Sequence, residues 1–324
     1  MLKALELCAG AGGQALGLEQ AGFGHAGLFE NDKHACETLR KNRPHWPVFE
    51  HDLFIDHDFS AYRGIDLLAG GLPCPPFSVA GKQLGEQDER NLFTRGVEIA
   101  EIVQPKAIMF ENVRGMLDPA FQTYREKIEL RLKRQNYAVW WTRLNASDFG
   151  VPQLRPRVVM VALKRTYEAD FKMPLGNTDE VTVGDALFDL MTANGWEGAE
   201  EWRKTARKIA PTIVGGSKKH GGPDLGPTRS RKAWLDLGVD GRTISDTAPE
   251  AGFTGVPKLT VRMAARLQGF PDSWQFQGKK TSSYRQVGNA FPPPVARAVG
   301  ESIAAALRGN KLTEEAGNKL EAAE

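Results

Sequence analysis

The chain predicts an α/β fold with a mostly parallel sheet, on three observations. A strand, a glycine turn and a helix follow one another at the amino terminus. Acidic residues recur at the ends of later apolar runs. A proline-rich loop carrying a single cysteine follows a buried run, at the carboxyl end of a strand, which is where open α/β sheets place ligand chemistry.

In chain order, Ala4-Leu5-Glu6-Leu7-Cys8 reads as a short strand running into Gly10-Ala11-Gly12-Gly13, and residues 14–21 read as a helix stopped at Gly22. Such glycines let the backbone come close to a ligand, with helix N–H groups facing it. The spacing is neither GxGxxG nor GxxxxGK[ST], which disfavours a pyrophosphate or a nucleoside triphosphate; on its own the turn leaves a nucleoside site open. Ala26-Gly27-Leu28-Phe29 is a second strand ending in Glu30, and Val48-Phe49 is a third, leading to Asp52. An acid after the second strand of such a fold commonly accepts hydrogen bonds from ribose hydroxyls, although either acid taken singly is more simply a solvated carboxylate.

Ile65-Asp66-Leu67-Leu68-Ala69 is a buried strand that runs into Gly70-Gly71-Leu72-Pro73-Cys74-Pro75-Pro76-Phe77-Ser78. The prolines fix their own φ, restrict their neighbours and exclude a strand or helix interior. A thiol is thereby held on a stiff loop, and cysteine occupies such a place for reactivity more often than for packing. Ala107-Ile108-Met109-Phe110 ends in Glu111-Asn112-Val113-Arg114-Gly115, and Val151-Pro152-Gln153-Leu154-Arg155-Pro156-Arg157 leads into the buried run 158–163. A thiol, a carboxylate and paired arginines share one neighbourhood.

These segments resemble the DNA (cytosine-5) methyltransferases of the bacterial type. Leu7-Cys8-Ala9-Gly10-Ala11-Gly12-Gly13 matches the family's first cofactor motif, Pro73-Cys74-Pro75-Pro76-Phe77-Ser78 its nucleophile motif, Glu111-Asn112-Val113 its acid motif and Gln153-Leu154-Arg155-Pro156-Arg157 its QxRxR motif. Residues 262–272 and Gln286-Val287-Gly288-Asn289-Ala290-Phe291-Pro292-Pro293 complete the set, in the family's order. The resemblance implies a Rossmann-like S-adenosylmethionine-dependent methyltransferase fold. Residues 1–173 and 284–324 would form the catalytic domain, and residues 174–283 a smaller inserted target-recognition domain whose variable part is about 174–258.

The resemblance also implies roles. Cys74 would add to C6 of a flipped-out cytosine. Glu111 would bond N3 and the exocyclic amine, as would the Leu72 carbonyl for the amine; Arg157 would hold O2, and Arg155 would add positive potential. S-adenosyl-L-methionine would be the cofactor, with Gly10, Ala11 and Gly13 at its amino-acid end, Glu30 on the ribose, Asp52 on the adenine amine and Leu53 and Leu92 flanking the ring. Pro73, Asn289 and Ala290 would close the site. Cys8 and Asn31 stand where the family often has aromatics, so adenine stacking should be weaker here. Residues 78–90, with Ser78 and Lys82, would form a mobile loop closing over double-stranded DNA.

Between Arg203 and Lys232 there are nine lysines and arginines against one acid, Asp224, among glycines. Beside a cytosine site such a run is expected to lie along phosphates, with Lys218, Lys219, Arg229, Arg231 and Lys232 as candidates; the plainer reading is a solvated basic loop.

With 324 residues, 41% hydrophobic and 25% charged, the chain can hold one sizeable core and a smaller domain. A net charge of +2 announces no partner by itself. Cys8, Cys36 and Cys74 lie far apart, giving no disulfide framework and no CxxC metal spacing, so we expect no metal, a reducing cytoplasm with nucleoid association, and no membrane segment. A monomer is expected, serving as the modification enzyme of a restriction-modification system with a cognate endonuclease, or as a solitary methylase. A transfer-RNA cytosine-5 methyltransferase and an inactive DNA-binding relative are the alternatives. The tail after Arg308 is expected to be an exposed or frayed extension.

Overall fold

A computed structural model describes residues 1–73, 91–176, 178–216 and 222–321, with side chains to residue 309. Cys74, Ser78, Lys82, the rest of the 78–90 loop, Lys218 and Lys219 lie outside the described residues. Strands β1 (Leu2–Leu7), β2 (Phe23–Glu30), β3 (Val48–Glu50), β4 (Leu67–Gly71), β5 (Ala107–Val113), β6 (Tyr137–Asn145) and β7 (Pro156–Lys164) make one seven-stranded sheet in the order β3-β2-β1-β4-β5-β7-β6. From β3 to β5 every pair is parallel, whereas β7 runs antiparallel to both β5 and β6. The sheet is mostly parallel, with the Rossmann-like arrangement expected from the sequence.

Apolar residues on both faces of a strand are the mark of a sheet covered on both sides, and the central strands divide strictly by alternation. Leu2, Ala4, Leu67, Ala69, Ala107, Met109, Val159 and Val161 face one core. That core is covered by α1 (Gly13–Gln20) and the long carboxyl-terminal helix Pro293–Glu321. Leu5, Leu7, Leu68, Ile108, Phe110, Val158 and Met160 face the other core. Helices α3 (Leu92–Val103) and α4 (Gln122–Arg134) cover this side. Helix α2 (Lys33–Asn42) begins where Asp32 accepts hydrogen bonds from the His34 and Ala35 N–H groups, a side-chain N-cap. Helix α1 comes very close to the last helix. A methyl group on Gly17 would stand 2.4 Å from the Pro293 carbonyl oxygen and 2.6 Å from Ala296 Cβ, so only glycine fits there.

Residues 174–258, in which the sequence shows little periodicity, contain α5 (Val183–Thr192), α6 (Ala199–Thr205) and α7 (Thr228–Leu235). They are followed by α8 (Val261–Leu267), α9 (Lys280–Asn289) and then α10 (Pro293–Glu321). These helices are short, so few turns carry their pattern, and their apolar faces meet in a core containing Leu187, Trp202, Trp234, Met263 and Tyr284. That core continues into Leu16 of α1, Leu28 of β2 and Leu39 of α2. Trp274 reinforces the join by donating its Nε1–H to the Ala11 carbonyl at 3.1 Å. Of the exposed or frayed extension expected after Arg308, the frayed part is set aside, because the backbone stays helical to Glu321. Among the described residues no helix is long and apolar enough to cross a membrane.

Candidate active site

Strand β1 stops at Leu7 because Cys8 turns into the left-handed region with φ +52°; Gly10 and Gly12 follow with φ +55° and +87°. The glycine turn delivers the chain into α1 with the helix's first N–H groups free of intrahelical partners. Gly13 must lack a side chain, since a Cβ there would stand 2.3 Å from the Phe291 carbonyl oxygen. In front of the turn lies a cavity of about 220 Å³ lined by Cys8, Gly10, Ala11, Gly13, Glu30, Pro73, Glu111, Asn289 and Ala290, among others. A second hollow of about 150 Å³ shares Cys8, Glu30 and Pro73 with it and adds Asn31, Asp52, Leu53 and Leu92. One bent cleft therefore collects all the residues that the resemblance assigns to the cofactor.

Glu30 sits at the bend. Its Oε2 accepts the Gly10 N–H at 2.8 Å and its Oε1 the Asp32 N–H at 2.7 Å, which orients the carboxylate and leaves each oxygen a lone pair toward the cleft. Burial pushes its pKa up, opposed by the Asp32, Gly10 and Asn31 N–H groups and aided by the Asp32 charge. At the outer end Asp52 Oδ1 accepts the Phe54 N–H at 3.0 Å, and the Asn31 amide stands 3.5 Å from Oδ2.

Two lining residues that the sequence reading passed over decide what the inner end can hold. Glu6 and Gln14 are buried, and neither the Glu6 oxygens nor the Gln14 amide atoms complete a hydrogen bond among the described residues. Burial raises the Glu6 pKa strongly, with the nearby Ala15 N–H opposing and the Glu30 charge adding to the shift. Orphaned buried polar groups are costly, and here they face a cavity beside free helix N–H groups. The ammonium and carboxylate of an amino acid would satisfy them, so the cleft fits an adenosyl amino acid at both ends. The signal for Glu6 was present in the sequence as an acid within an apolar strand; Gln14 carried none. Arg285, 3.9 Å from the Asp32 carboxylate, also lines this cavity without a sequence signal.

Next to the cleft, β4 and β5 end side by side with Gly71 paired to Glu111. Across the β5–β7 ladder Val113 faces Arg157 and Glu111 faces Val159, so Glu111 and Arg157 are diagonal neighbours on one face, within reach of long side chains. Arg157 Nε meets Glu111 Oε1 at 2.7 Å, both side chains being nearly buried. Burial raises the Glu111 pKa above the usual carboxylate value, while the Arg157 and Arg155 charges hold it back. The result is a carboxyl that takes a proton readily yet keeps a fixed orientation. A methyl on Gly71 would lie 3.3 Å from Glu111 Oε2, so glycine keeps the carboxyl accessible. Asn112 donates from Nδ2 to the Leu72 carbonyl at 2.9 Å and accepts the Val113 N–H on Oδ1 at 2.8 Å. It thereby steadies the backbone immediately before Pro73.

Arg155 differs in kind from Arg157: its charge is felt by Glu111, as positive potential, but its hydrogen-bond donors are directed elsewhere. Its side chain is fully buried. Nη1 donates to the Ile213 carbonyl at 2.6 Å, and Nη2 to the Gly288 and Ala290 carbonyls at 2.7 and 3.0 Å. The guanidinium ties the approach to β7 to the 210–216 segment and the end of α9, and its Nη donors are spent on these carbonyls. Alternation explains the split, because residues two apart in an extended strand share a face only while the strand is regular, and Arg155 precedes β7.

The described cysteines are poor nucleophiles. Burial and the surrounding acids Glu30, Asp52 and Glu6 push the Cys8 thiol well up, and burial first, then Glu30, pushes Cys36 up to about 12. Of the basic candidates, Arg229 and Lys232 are exposed on α7 and Arg231 is half-buried.

Comparison with known proteins agrees with this geometry. The family model described as C-5 cytosine-specific DNA methylase matches residues 2–305. The chain is similar to the type II methyltransferase M.NaeI of Lentzea aerocolonigenes, 53% identical over 94% of this chain and 75% of that protein. It is likewise similar to the type II methyltransferase M.NgoMIV of Neisseria gonorrhoeae, 53% identical over 94% of this chain and 97% of that protein. Among solved structures, a prophage-encoded DNA modification methyltransferase of E. coli superimposes with a TM-score of 0.68 at 23% identity, covering 95% of this chain and 100% of that one; that likeness speaks to the fold alone. With the match running nearly end to end over a sheet whose edge gathers the glycine turn, the Pro73 loop and the Glu111–Arg157 pair, the chain belongs to the C-5 cytosine-specific DNA methylases.

Proposed function

We propose that this S-adenosylmethionine-dependent DNA methyltransferase uses Cys74 as its nucleophile and serves as the modification enzyme of a type II restriction-modification system, acting as a monomer in the cytoplasm at the nucleoid. The observation that carries the mechanism is the Glu111–Arg157 pair at the end of β5, one strand from the backbone that leads into Cys74. The restriction-modification assignment rests on the type II relatives, which are matched over most of their length.

The target carbon is inaccessible inside a duplex, so the cytosine must be flipped out at a cost of a few kcal/mol. In the extruded base C5 is a weak nucleophile. Cys74 adds as thiolate to C6, while protonated Glu111 donates to N3, so the ring gains an enamine and no charge is left on it. Arg157 orients Glu111 and presents Nη hydrogens to O2. Because the Asn112 amide already occupies one lone pair of the Leu72 carbonyl, the second is the one left for the exocyclic amine. Bound S-adenosylmethionine supplies an electrophilic sulfonium methyl to the activated C5. Water then takes the C5 proton, the Cys74–C6 bond breaks to release the thiolate, and N3 gives its proton back to Glu111, which restores the aromatic ring and the acid. Glu6, Gln14, Glu30 and Asp52 would hold the cofactor, with Leu53 and Leu92 against its ring.

The test is trapping on a duplex bearing 5-fluorocytosine, whose fluorine cannot leave as the proton does. The wild-type protein should form a stable adduct with this duplex, and Cys74→Ala should form none while still binding S-adenosylhomocysteine. An adduct that persists in Cys74→Ala would assign the nucleophile elsewhere. A parallel assay on transfer RNA that outran the duplex would make RNA the substrate.

A further inference from the structure

The recognition region contains an arginine that is exposed and yet held still. Residues 223–225 and 241–244 run beside each other, the Leu225 N–H donating to the Gly241 carbonyl at 2.9 Å and the Ile244 N–H to the Pro223 carbonyl at 2.8 Å. At the cleft mouth Asn289 Nδ2 donates to the Gly216 carbonyl at 3.2 Å. Arg231 of the basic run packs against Gly241. Arg242 thus sits on the segment paired with residues 223–225, beside Arg231 of the basic run.

The Arg242 side chain is 79% exposed, whereas its partner Asp240 is only 10% exposed. Nε donates to Asp240 Oδ1 and Nη2 to Oδ2, both at 2.9 Å, and Oδ1 also accepts the Arg242 backbone N–H at 3.1 Å. Lys258 Nζ lies 4.0 Å from the same carboxylate. An exposed ion pair adds little to stability, and holding a long side chain in one geometry costs rotamer freedom. What the pair achieves is aim. Two of the guanidinium's five hydrogens are spent on a carboxylate anchored in the fold. Among the described residues the Nη1 hydrogens meet no acceptor, so the Nη1–Nη2 edge faces outward in a fixed plane. That edge donates two parallel hydrogen bonds, the pattern accepted by O6 and N7 of guanine in the major groove.

We propose that Arg242, aimed by Asp240, reads a guanine of the target sequence. This rests on residues 174–283 being the part that reads DNA, and it adds a specificity-determining residue outside the basic run. A phosphate contact would need charge alone, whereas a base contact needs the planar fork.

The test is selection from a randomised duplex pool in the presence of S-adenosylhomocysteine, followed by sequencing, for wild type, Arg242→Ala, Arg242→Lys and Asp240→Asn, with folding checked by thermal unfolding. Wild type should enrich a motif containing guanine. Arg242→Ala and Arg242→Lys should each lose the guanine preference at one position by about 5- to 150-fold, with other positions kept. Asp240→Asn should lose it partly at that same position. An unchanged motif in Arg242→Ala, or full preference restored by Arg242→Lys, would overturn the proposal. A salt slope reduced by about 0.9 with the motif intact would make Arg242 a phosphate contact instead. Binding selection needs no methyl transfer, so absence of 5-methylcytosine from wild-type reactions would count against the catalytic reading and leave this result standing.

Discussion

Glu111 and Gln14 illustrate two uses of burial at the scale of single residues. At Glu111 burial raises the pKa and Arg157 moderates it, leaving a carboxyl suited to giving a proton to N3. In the proposed mechanism the active form has Glu111 protonated and Cys74 ionised, so adduct formation should be bell-shaped in pH, with two limbs that belong to the pair. Glu111→Gln cannot lose a proton, so its profile should keep rising through thiol ionisation with no alkaline fall, at a rate lower by about 10²- to 10⁴-fold. Stopped-flow trapping on the 5-fluorocytosine duplex reads both effects, and a retained alkaline limb would move that role to another group. At Gln14 burial is a cost in the free protein, because the amide has no partner among the described residues. Gln14→Leu should therefore raise the melting temperature of the free protein while weakening S-adenosylhomocysteine by about 2- to 12-fold. Calorimetric binding of methylthioadenosine, which lacks the amino-acid end, should not change; an equal loss for both ligands would place Gln14 elsewhere in the cleft.

At the scale of elements, the antiparallel strand β7 does what a parallel strand could not. Entering the sheet beside the end of β5, it brings the residue at its start, Arg157, against Glu111. Arg155, two residues earlier, is turned inward to brace three carbonyls. The two arginines should separate in experiment. Arg155→Ala leaves buried acceptors unpaired and should destabilise the fold by roughly 2 to 5 kcal/mol. It should also weaken cofactor binding, since Gly288 and Ala290 lead to Asn289. Arg157→Ala should keep stability and cofactor affinity and lose the rate of adduct formation. Urea unfolding and S-adenosylhomocysteine titration of both variants decide this, and a large loss of stability in Arg157→Ala alone would reverse the assignment.

Across the whole molecule, a net charge of +2 hides a basic run between Arg203 and Lys232, and this run should set affinity without setting sequence. Each of Arg229, Arg231 and Lys232 that neutralises a phosphate should contribute about 0.9 to the negative slope of log affinity against log salt, equally on target and scrambled duplexes. Single alanine variants measured by fluorescence anisotropy across a salt series should show it. Variants with unaltered slope and affinity would make the run a solvated loop, with the grip on DNA elsewhere.

The sequence by itself determined the local pieces. Apolar runs marked β1, β2, β4, β5 and β7, and glycines at 10, 12 and 13 marked the turn into α1. Each of these is set by the chemistry of neighbouring residues, through φ or period-two alternation, and is legible without the fold. The family resemblance extended this to the lining of the cleft, since Glu30, Asp52, Leu92 and Asn289, distant in sequence, all line its two connected hollows. Short helices such as α6 and α7 escaped because two turns carry too little pattern. Only the tertiary structure decided that β7 runs antiparallel, that Arg155 braces while Arg157 meets Glu111, that Glu6 and Gln14 face an unfilled need, and that Asp240 holds Arg242 outward. Those facts depend on which distant segments pair and which side chains lose water when they do, and such contacts are settled by the packed molecule as a whole.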